Sequence, residues 1–263
     1  MGRILDAIIL REQKKALFWW APKAGINMGD ELSRVIVSAV LATRDKTLLS
    51  ERHGSGRLLA IGSILHFSQA GDTVWGSGIN GKRPYDSLTF DGIKFKSVRG
   101  PKTKAILESK GISVPDVYGD PGLLAPLFMA PTAFAQREPE DFLVVPHLNE
   151  DFSKYREFED KLVLPNLGPG QFIERLLSAK LVISSSLHGV ILAEAYGIPA
   201  VYYDSGSGEH IFKYDDYYSG TGREQWQYGR SVEECLEIGG QEAFDLADIQ
   251  RKLLSAFPWE LWK

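Results

Sequence analysis

The sequence predicts an α/β fold: two open parallel-sheet domains facing each other, with a final helix packing across or beside them. Three observations predict it. Short apolar runs alternate with helical patterns along the whole chain, the order expected of parallel sheets covered by helices. The stretch Leu162–Tyr203 reads as an uninterrupted β-α-β-α-β unit. Between them, Ala130 to Asp141 holds Pro131, Thr132, Gln136, Arg137, Glu138 and Pro139, the best linker in the chain. At 263 residues and 44% hydrophobic content, the chain has ample apolar surface for such a core. The expected partition is 1–130, a linker at 131–140, a second domain at 141–240, and a C-terminal helical segment at 241–263.

The elements follow in order. Ala16–Trp20 reads as a strand, broken by Pro22 and Gly25. A helix over Glu31–Ala42 places Leu32, Val35, Ile36 and Ala39 on one face. Leu58–Ile61, Thr73–Trp75 and Lys94–Val98 are further strands, the last followed by Arg99-Gly100-Pro101 and a helix to Lys110, stopped by Gly111. The second domain starts with the strand Phe142–Val145, and Lys161–Leu164 reads as another. Gly168-Pro169-Gly170 opens a helix over Gln171–Ala179. The strand Leu181–Ile183 leads through three serines into the helix Leu187–Tyr196, which Gly197 ends before the strand Pro199–Tyr203. The last helix is expected over Gln241–Phe257.

Composition excludes several classes. Ordinary charged and aromatic fractions (24% and 11%) rule out disordered, collagenous and coiled-coil chains. A net charge of −4 argues against a general nucleic-acid binder. The lone Cys235 cannot form an internal disulfide or a CxxC centre. No apolar run approaches the roughly 20 residues of a membrane span. Ile4–Leu10 carries Asp6, runs into Arg11-Glu12-Gln13-Lys14-Lys15 and lacks a cleavage pattern, so a cytoplasmic chain is expected. Among histidines 53, 66, 147, 188 and 210 no zinc-ligand spacing occurs, and neither Asp-x-Asp, a P-loop nor G-x-S-x-G is present. No metal and no cofactor is expected.

Ligands of open α/β sheets sit beyond the carboxyl ends of strands, where helix N-termini point. Three stretches qualify: Asn27-Met28-Gly29-Asp30, Ser97–Lys102 and Ser184–Gly189. In the third, His188 falls in the first turn of its helix and Gly189 permits close approach. His188 also shares a face with Ile191, Leu192 and Ala195, so a core histidine is an equal reading. Arg99 offers a guanidinium fork suited to phosphate or carboxylate, or is a surface arginine in a turn. Asp30 and Asn27 fit a helix-start charge and a turn former as readily as a site. Gly76-Ser77-Gly78-Ile79-Asn80-Gly81 matches a dinucleotide fingerprint, but Lys82-Arg83-Pro84 follows instead of a helix, which makes it a glycine-rich turn. The aromatic stretch from Tyr202 to Tyr228 suits sugar stacking, a core or an interface.

Taken together, these pieces resemble the polysaccharide pyruvyl transferases, especially the short bacterial exopolysaccharide ketal-pyruvate transferases. The matching pieces, in order, are Asn27–Asp30, the Ile61-Gly62-Ser63 and Trp75–Gly78 turns, Ser97–Pro101, Tyr118–Leu124, Val145-Pro146-His147 and Ser184–Pro199. They cover most of residues 17–204, and Leu187-His188-Gly189 followed by Gly197-Ile198-Pro199 is the sharpest. The resemblance implies a GT-B-like pair of Rossmann-like domains with the site between them. It implies transfer of the enolpyruvyl unit of phosphoenolpyruvate to two hydroxyls of one sugar, giving a cyclic ketal and phosphate. The acceptor would be an oligosaccharide or lipid-linked glycan, with possible peripheral contact with the inner face of the cytoplasmic membrane.

On that likeness His188 and Asp30 are the catalytic candidates. Arg99, Ser186, Leu187, Gly189 and Lys102 would hold the donor, and Asn27, Gly29, Gly78, Asp120, His147 and Lys213 would line the acceptor side or cleft. Some family members carry arginine where this chain has Ser186, so a second cation must come from Lys102, Arg83 or Lys213. Two other readings stay open: a metal-independent sugar-nucleotide glycosyltransferase with Glu194 as a ribose ligand, and a non-catalytic carbohydrate-binding module. The module is favoured if His188 and Arg99 are buried and paired.

Overall fold

The computed structural model describes residues 2–22 and 25–263. Helix α1 (Gly2–Ala16) precedes a parallel sheet of β1 (Leu17–Phe18), β2 (Leu58–Leu59), β3 (Thr73–Trp75) and β4 (Lys94–Ser97), in that spatial order. Helix α2 (Met28–Ala42) connects β1 to β2, and α3 (Pro101–Glu108) follows β4, with Pro101 preset for a first helical position. A single parallel bridge between Val98 and Tyr118 extends the sheet. The short α4 (Ala125–Phe128) closes this half, and a 3-10 turn at Pro131–Ala133 occupies the proline-rich stretch between the sheets.

The second parallel sheet has β5 (Leu143–Val145), β6 (Val182–Ser184), β7 (Ala200–Tyr203) and β8 (Tyr228–Gly229), again in that order. Its helices are α5 (Pro169–Leu176), α6 (Leu187–Ala195), α7 (Phe212–Gly220), α8 (Val232–Ile238) and α9 (Leu246–Ser255). Two expectations are corrected here. Lys161–Leu164 is not a strand: a 3-10 segment runs from Phe152 to Lys161, Pro165 follows, and only Leu162 bridges to Val144. A proline lacks the N–H a ladder needs, and it restricts the residue before it. The final helix is shorter than Gln241–Phe257, because Asp245 caps it by accepting the Asp248 N–H at 2.9 Å.

Counting the Leu162 bridge as an edge, β5 lies between Leu162 and β6. The chain order therefore reverses at the β5–β6 junction, and such reversals open a crevice at the carboxyl ends of the strands. The loop after β5 and the N-terminus of α6 both emerge there.

Each half has a buried cluster of its own, around Leu59, Val74 and Leu107 in the first and Val144, Ile183 and Val201 in the second, but the largest part of the core is shared. One buried cluster runs from Leu17, Met28 and Leu32 through Leu123 to Val145, Ile191 and Tyr214. The Met28 N–H donates to the Pro165 carbonyl at 2.9 Å, tying the start of α2 to the second half. The chain end returns to the first half. Trp75 Nε1 donates to the Leu253 carbonyl at 2.8 Å, and the Phe257 ring meets Trp75 edge-on at 4.9 Å. Arg52 and Trp262 form an antiparallel bridge. A shared core holds the two cleft walls in register, which is what a site built from both sheets requires.

Candidate functional site

Between the carboxyl ends of the two sheets lies a cavity of about 300 Å³. The first half contributes Trp20, Asn27, Asp30, Ser63, His66 and Lys82. The second half contributes His147, Ser186, Leu187, His188, Glu209 and Lys213.

His188 reaches the cleft because α6 starts directly after β6. The imidazole lies over the start of α2, where Gly29 makes room: a Cβ there would stand 2.0 Å from His188 Nδ1. Its other nitrogen, Nε2, faces Asp120 Oδ2 at 3.7 Å. Both of those atoms are buried and neither has a hydrogen-bond partner. Asp120 is held in place through its second oxygen, which accepts the Gly122 N–H at 2.8 Å. The half-buried imidazole thus faces an unpaired carboxylate oxygen, and a small shift would close a hydrogen bond between them.

Asp30 completes this group. Asn27 Nδ2 donates to its Oδ2 at 2.5 Å, fixing the carboxyl in the first turn of α2. Burial raises the Asp30 pKa to about 6, partly offset by His188 and Lys213. Such a carboxyl exchanges a proton near neutrality.

The opposite wall is an ion cluster. Glu209 accepts from Lys213 at 2.5 Å and from Lys82, which reaches across from the first half, and lies 3.5 Å from His147 Nε2. Burial opposes ionisation of Glu209, but Lys213, His147 and Lys82 outweigh it and hold its pKa down to about 2. Burial and the Lys213 charge push the His147 pKa down to about 4, keeping that ring neutral. Burial also lowers the Lys213 pKa against the pull of Glu209.

The three serines divide their work. The Ser184 hydroxyl donates to the Val145 carbonyl at 3.0 Å and accepts the Ser186 N–H. The Ser185 hydroxyl accepts the His147 N–H at 3.0 Å and donates to Glu150. Together they staple the end of β6 to the loop after β5, so His147 and Ser186 share one wall. Ser186 lines the cleft, as do Leu187, Asn27 and Lys213 among the expected residues.

Arg99, Lys102, Gly78 and Gly189 are not brought to the cleft. Arg99 is fully buried and its guanidinium is committed: Nε donates to Asp216 at 3.0 Å, Nη1 to Ser63 Oγ at 2.6 Å, and Nη2 to the Ile79 carbonyl at 2.7 Å. The fully buried guanidinium spends most of its five donors on these partners. Gly78 makes room for that guanidinium, since a Cβ would come within 2.5 Å of Arg99 Cζ. Lys102 pairs with Asp215 at 2.9 Å on α7. A Cβ on Gly189 would stand 2.3 Å from Ser184 Oγ, so that glycine serves the packing of α6 on β6. Glu194 is also committed, to Arg223 at 2.7 Å and to the Tyr217 hydroxyl at 2.6 Å. The glycine run at 76–81 forms a turn with no helix after it. Sequence reasoning missed Trp20, His66, Lys82 and Glu209, isolated residues without a motif, and gave no site role to Ser63 although it ends the Ile61-Gly62-Ser63 turn.

The two parallel α/β sheets carry at their carboxyl ends a small, charged cleft lined from both halves. The profile of the polysaccharide pyruvyl transferase family matches residues 50–207, and the chain belongs to that family. The match takes in His147, Ser186 and His188, while Asp30 and Lys213 lie outside it. The chain is similar to an uncharacterized protein of Acanthamoeba polyphaga mimivirus, 24% identical over 257 residues, covering 90% of this chain and 86% of the viral one. It is also similar to the crystal structure of a functionally uncharacterized protein from Klebsiella pneumoniae, at 15% identity and a TM-score of 0.46, covering 83% of this chain and 93% of that one. Among the described residues no helix is long and apolar enough to cross a membrane.

Proposed function

We propose that the chain transfers pyruvate from phosphoenolpyruvate to two hydroxyls of one sugar in a glycan, on a GT-B-like scaffold. The observation that carries this reading is the convergence of His188, Asp30 and Asp120 opposite the cations Lys213 and Lys82. The donor is small and strongly anionic, which suits a cleft of about 300 Å³ with lysines on one wall and a helix N-terminus on another.

The reaction needs one proton at the donor's methylene carbon and a base for each attacking hydroxyl. Asp30, part-protonated near neutrality, is placed to supply the methylene proton. His188, with Asp120 behind it, takes the proton of the first hydroxyl as its oxygen bonds to the central carbon. The carbon–oxygen bond to phosphate then breaks, and the second hydroxyl closes the ketal. Two hydroxyl protons are lost, one is gained by the methyl group and one by the departing phosphate, so the balance closes. Lys213 and Lys82 stabilise the phosphate, in place of Arg99 and of the arginine this chain replaces with Ser186. Arg99 becomes a positioning residue behind Ser63. Trp20 and His66 offer an acceptor sugar ring faces to stack on. The acceptor would be an oligosaccharide or lipid-linked glycan on the cytoplasmic side.

Sugar-nucleotide transfer loses support because Glu194, its ribose ligand, is tied to Arg223. The binding-module reading required both His188 and Arg99 to be paired; Arg99 is, whereas His188 Nε2 has no partner. The test is thermal unfolding with phosphoenolpyruvate or nucleotide diphosphate sugars. At about 100 times Kd a ligand stabilises by about 2.7 kcal/mol, a shift on the order of 5–10 °C for a chain this size. Phosphoenolpyruvate is expected to produce it and sugar nucleotides are not. A shift with a sugar nucleotide alone would overturn the reading.

A further inference from the structure

Helix α1 stands apart from the folded body. From Leu5 to Glu12 every residue is exposed, and only Ala16, where the helix meets β1, is buried. Its large apolar side chains are in water: Leu5 is 54% exposed, Ile8 52%, and Ile9 and Leu10 43% each. Leu5, Ile8 and Ile9 fall at i, i+3 and i+4, so they form one stripe, with Leu10 beside it. Surface helices of soluble proteins bury such a stripe; among the described residues no other element covers this one.

The charge around the stripe is lopsided. Gly2–Ala16 carries Arg3, Arg11, Lys14 and Lys15 against Asp6 and Glu12, a net +2 on a chain whose total is −4. The C-terminal end of α1 borders a groove of about 750 Å³. Lys14, Lys15, Arg52 and Arg57 line it. Arg57 is paired with Asp72 at 2.6 Å and Arg52 donates to the Lys15 carbonyl at 2.6 Å, so Lys14 and Lys15 are its outward cations. Leu49 at its edge is 52% exposed, and Glu12 is the sole carboxylate among its lining residues. Glu12 itself is paired with Lys15 at 2.7 Å. An exposed apolar stripe beside clustered cations is the pattern of a helix lying at a lipid–water boundary, apolar side chains among acyl chains and cations at the headgroups.

We propose that α1 and this groove form a docking surface for an anionic phospholipid bilayer. A second copy of the chain fits less well, since a two-fold pairing of α1 would bring like charges together. The surface lies at the amino ends of the strands: Lys15 and Ala16 precede β1 and Arg57 precedes β2, whereas the cleft lies at their carboxyl ends. Docking and ligand binding in the cleft are therefore separable.

The experiment is flotation of the full chain with vesicles of zwitterionic phosphatidylcholine, with and without about one third phosphatidylglycerol. Binding is expected only to the anionic vesicles, weakening as salt rises from about 50 to 300 mM. The pair Ile8→Asp with Ile9→Asp, and separately Lys14→Glu with Lys15→Glu, should each reduce partitioning about tenfold or more. Their melting, and any shift with phosphoenolpyruvate, should match the parent because none of the four side chains lines the cleft. Equal binding to neutral and anionic vesicles, no binding to either, or undiminished binding by both variants would overturn the proposal. So would a parent dimer in sedimentation that the Ile8→Asp/Ile9→Asp variant dissolves.

Discussion

The His188 ring occupies the space that any side chain at position 29 would need: a Cβ on Gly29 would lie 2.0 Å from Nδ1. Two helices from opposite halves, α6 and α2, thereby meet through a glycine and an imidazole. Gly29→Ala is expected to displace the ring and lower turnover at least about tenfold, even though alanine ordinarily favours a helix by up to about 1 kcal/mol. In a His188→Ala background the same change should become neutral or stabilising. Melting and turnover of the two single variants and the double variant measure that coupling.

Asp30 makes stability depend on pH in a calculable direction. Burial raises its pKa to about 6 in the fold, from 3.8 for an ordinary aspartate. A raised carboxyl contributes stability that is fully present below its unfolded pKa and is lost as pH rises through the folded one. Asp30→Asn removes that loss. Between pH 3 and 7 the variant should gain on the parent by up to about 3 kcal/mol, most of it between pH 4 and 6. Denaturant unfolding across this range checks it, and parallel curves would place the raised pKa elsewhere. Turnover should collapse in the same variant if the carboxyl supplies the methylene proton.

Arg99 should matter for folding more than for the donor. Arg99→Ala leaves Asp216 buried without its cation, a loss of about 3–5 kcal/mol and about 10 °C in melting. Arg99→Lys, lacking the fork that serves Asp216, Ser63 and Ile79 at once, should also destabilise. A variant with normal melting and a raised KM for phosphoenolpyruvate would return Arg99 to the donor site.

Lys213 is expected to carry donor affinity. Lys213→Met should weaken phosphoenolpyruvate about 10- to 100-fold, the range for losing a hydrogen bond to a charged group. Because Glu209 would then lose a partner, the double variant with Glu209→Gln separates affinity from folding. Calorimetric titration of that pair against the parent checks it, and unchanged affinity would assign the phosphate to another wall.

Much was legible before any coordinates. The alternation of short apolar runs with amphipathic stretches predicts two parallel sheets, because those periods reflect how each segment buries its own side chains. The helix after Ser186 and its stop at Gly197 are local events, governed by the chain within a turn or two. The family followed from ordered short motifs, and seven of the expected residues, Asn27, Asp30, His147, Ser186, Leu187, His188 and Lys213, line one cleft. The strand expected at Lys161–Leu164 fails for an equally local reason: the 3-10 segment runs up to Lys161 and Pro165 restricts Leu164, leaving only the Leu162 bridge.

By itself the sequence determined the fold class, the family, and the placement of His188 at a strand-to-helix junction, since all of these depend on near neighbours along the chain. Only the tertiary structure decided which charges serve the cleft. Arg99 reads as a ligand residue until Asp216, 117 positions later, takes up its guanidinium. Lys82 and Glu209 lie 127 positions apart, and only the closing of the two halves pairs them. A charged side chain is defined by the partner that desolvates or neutralises it, and partners so distant in sequence are chosen by packing alone.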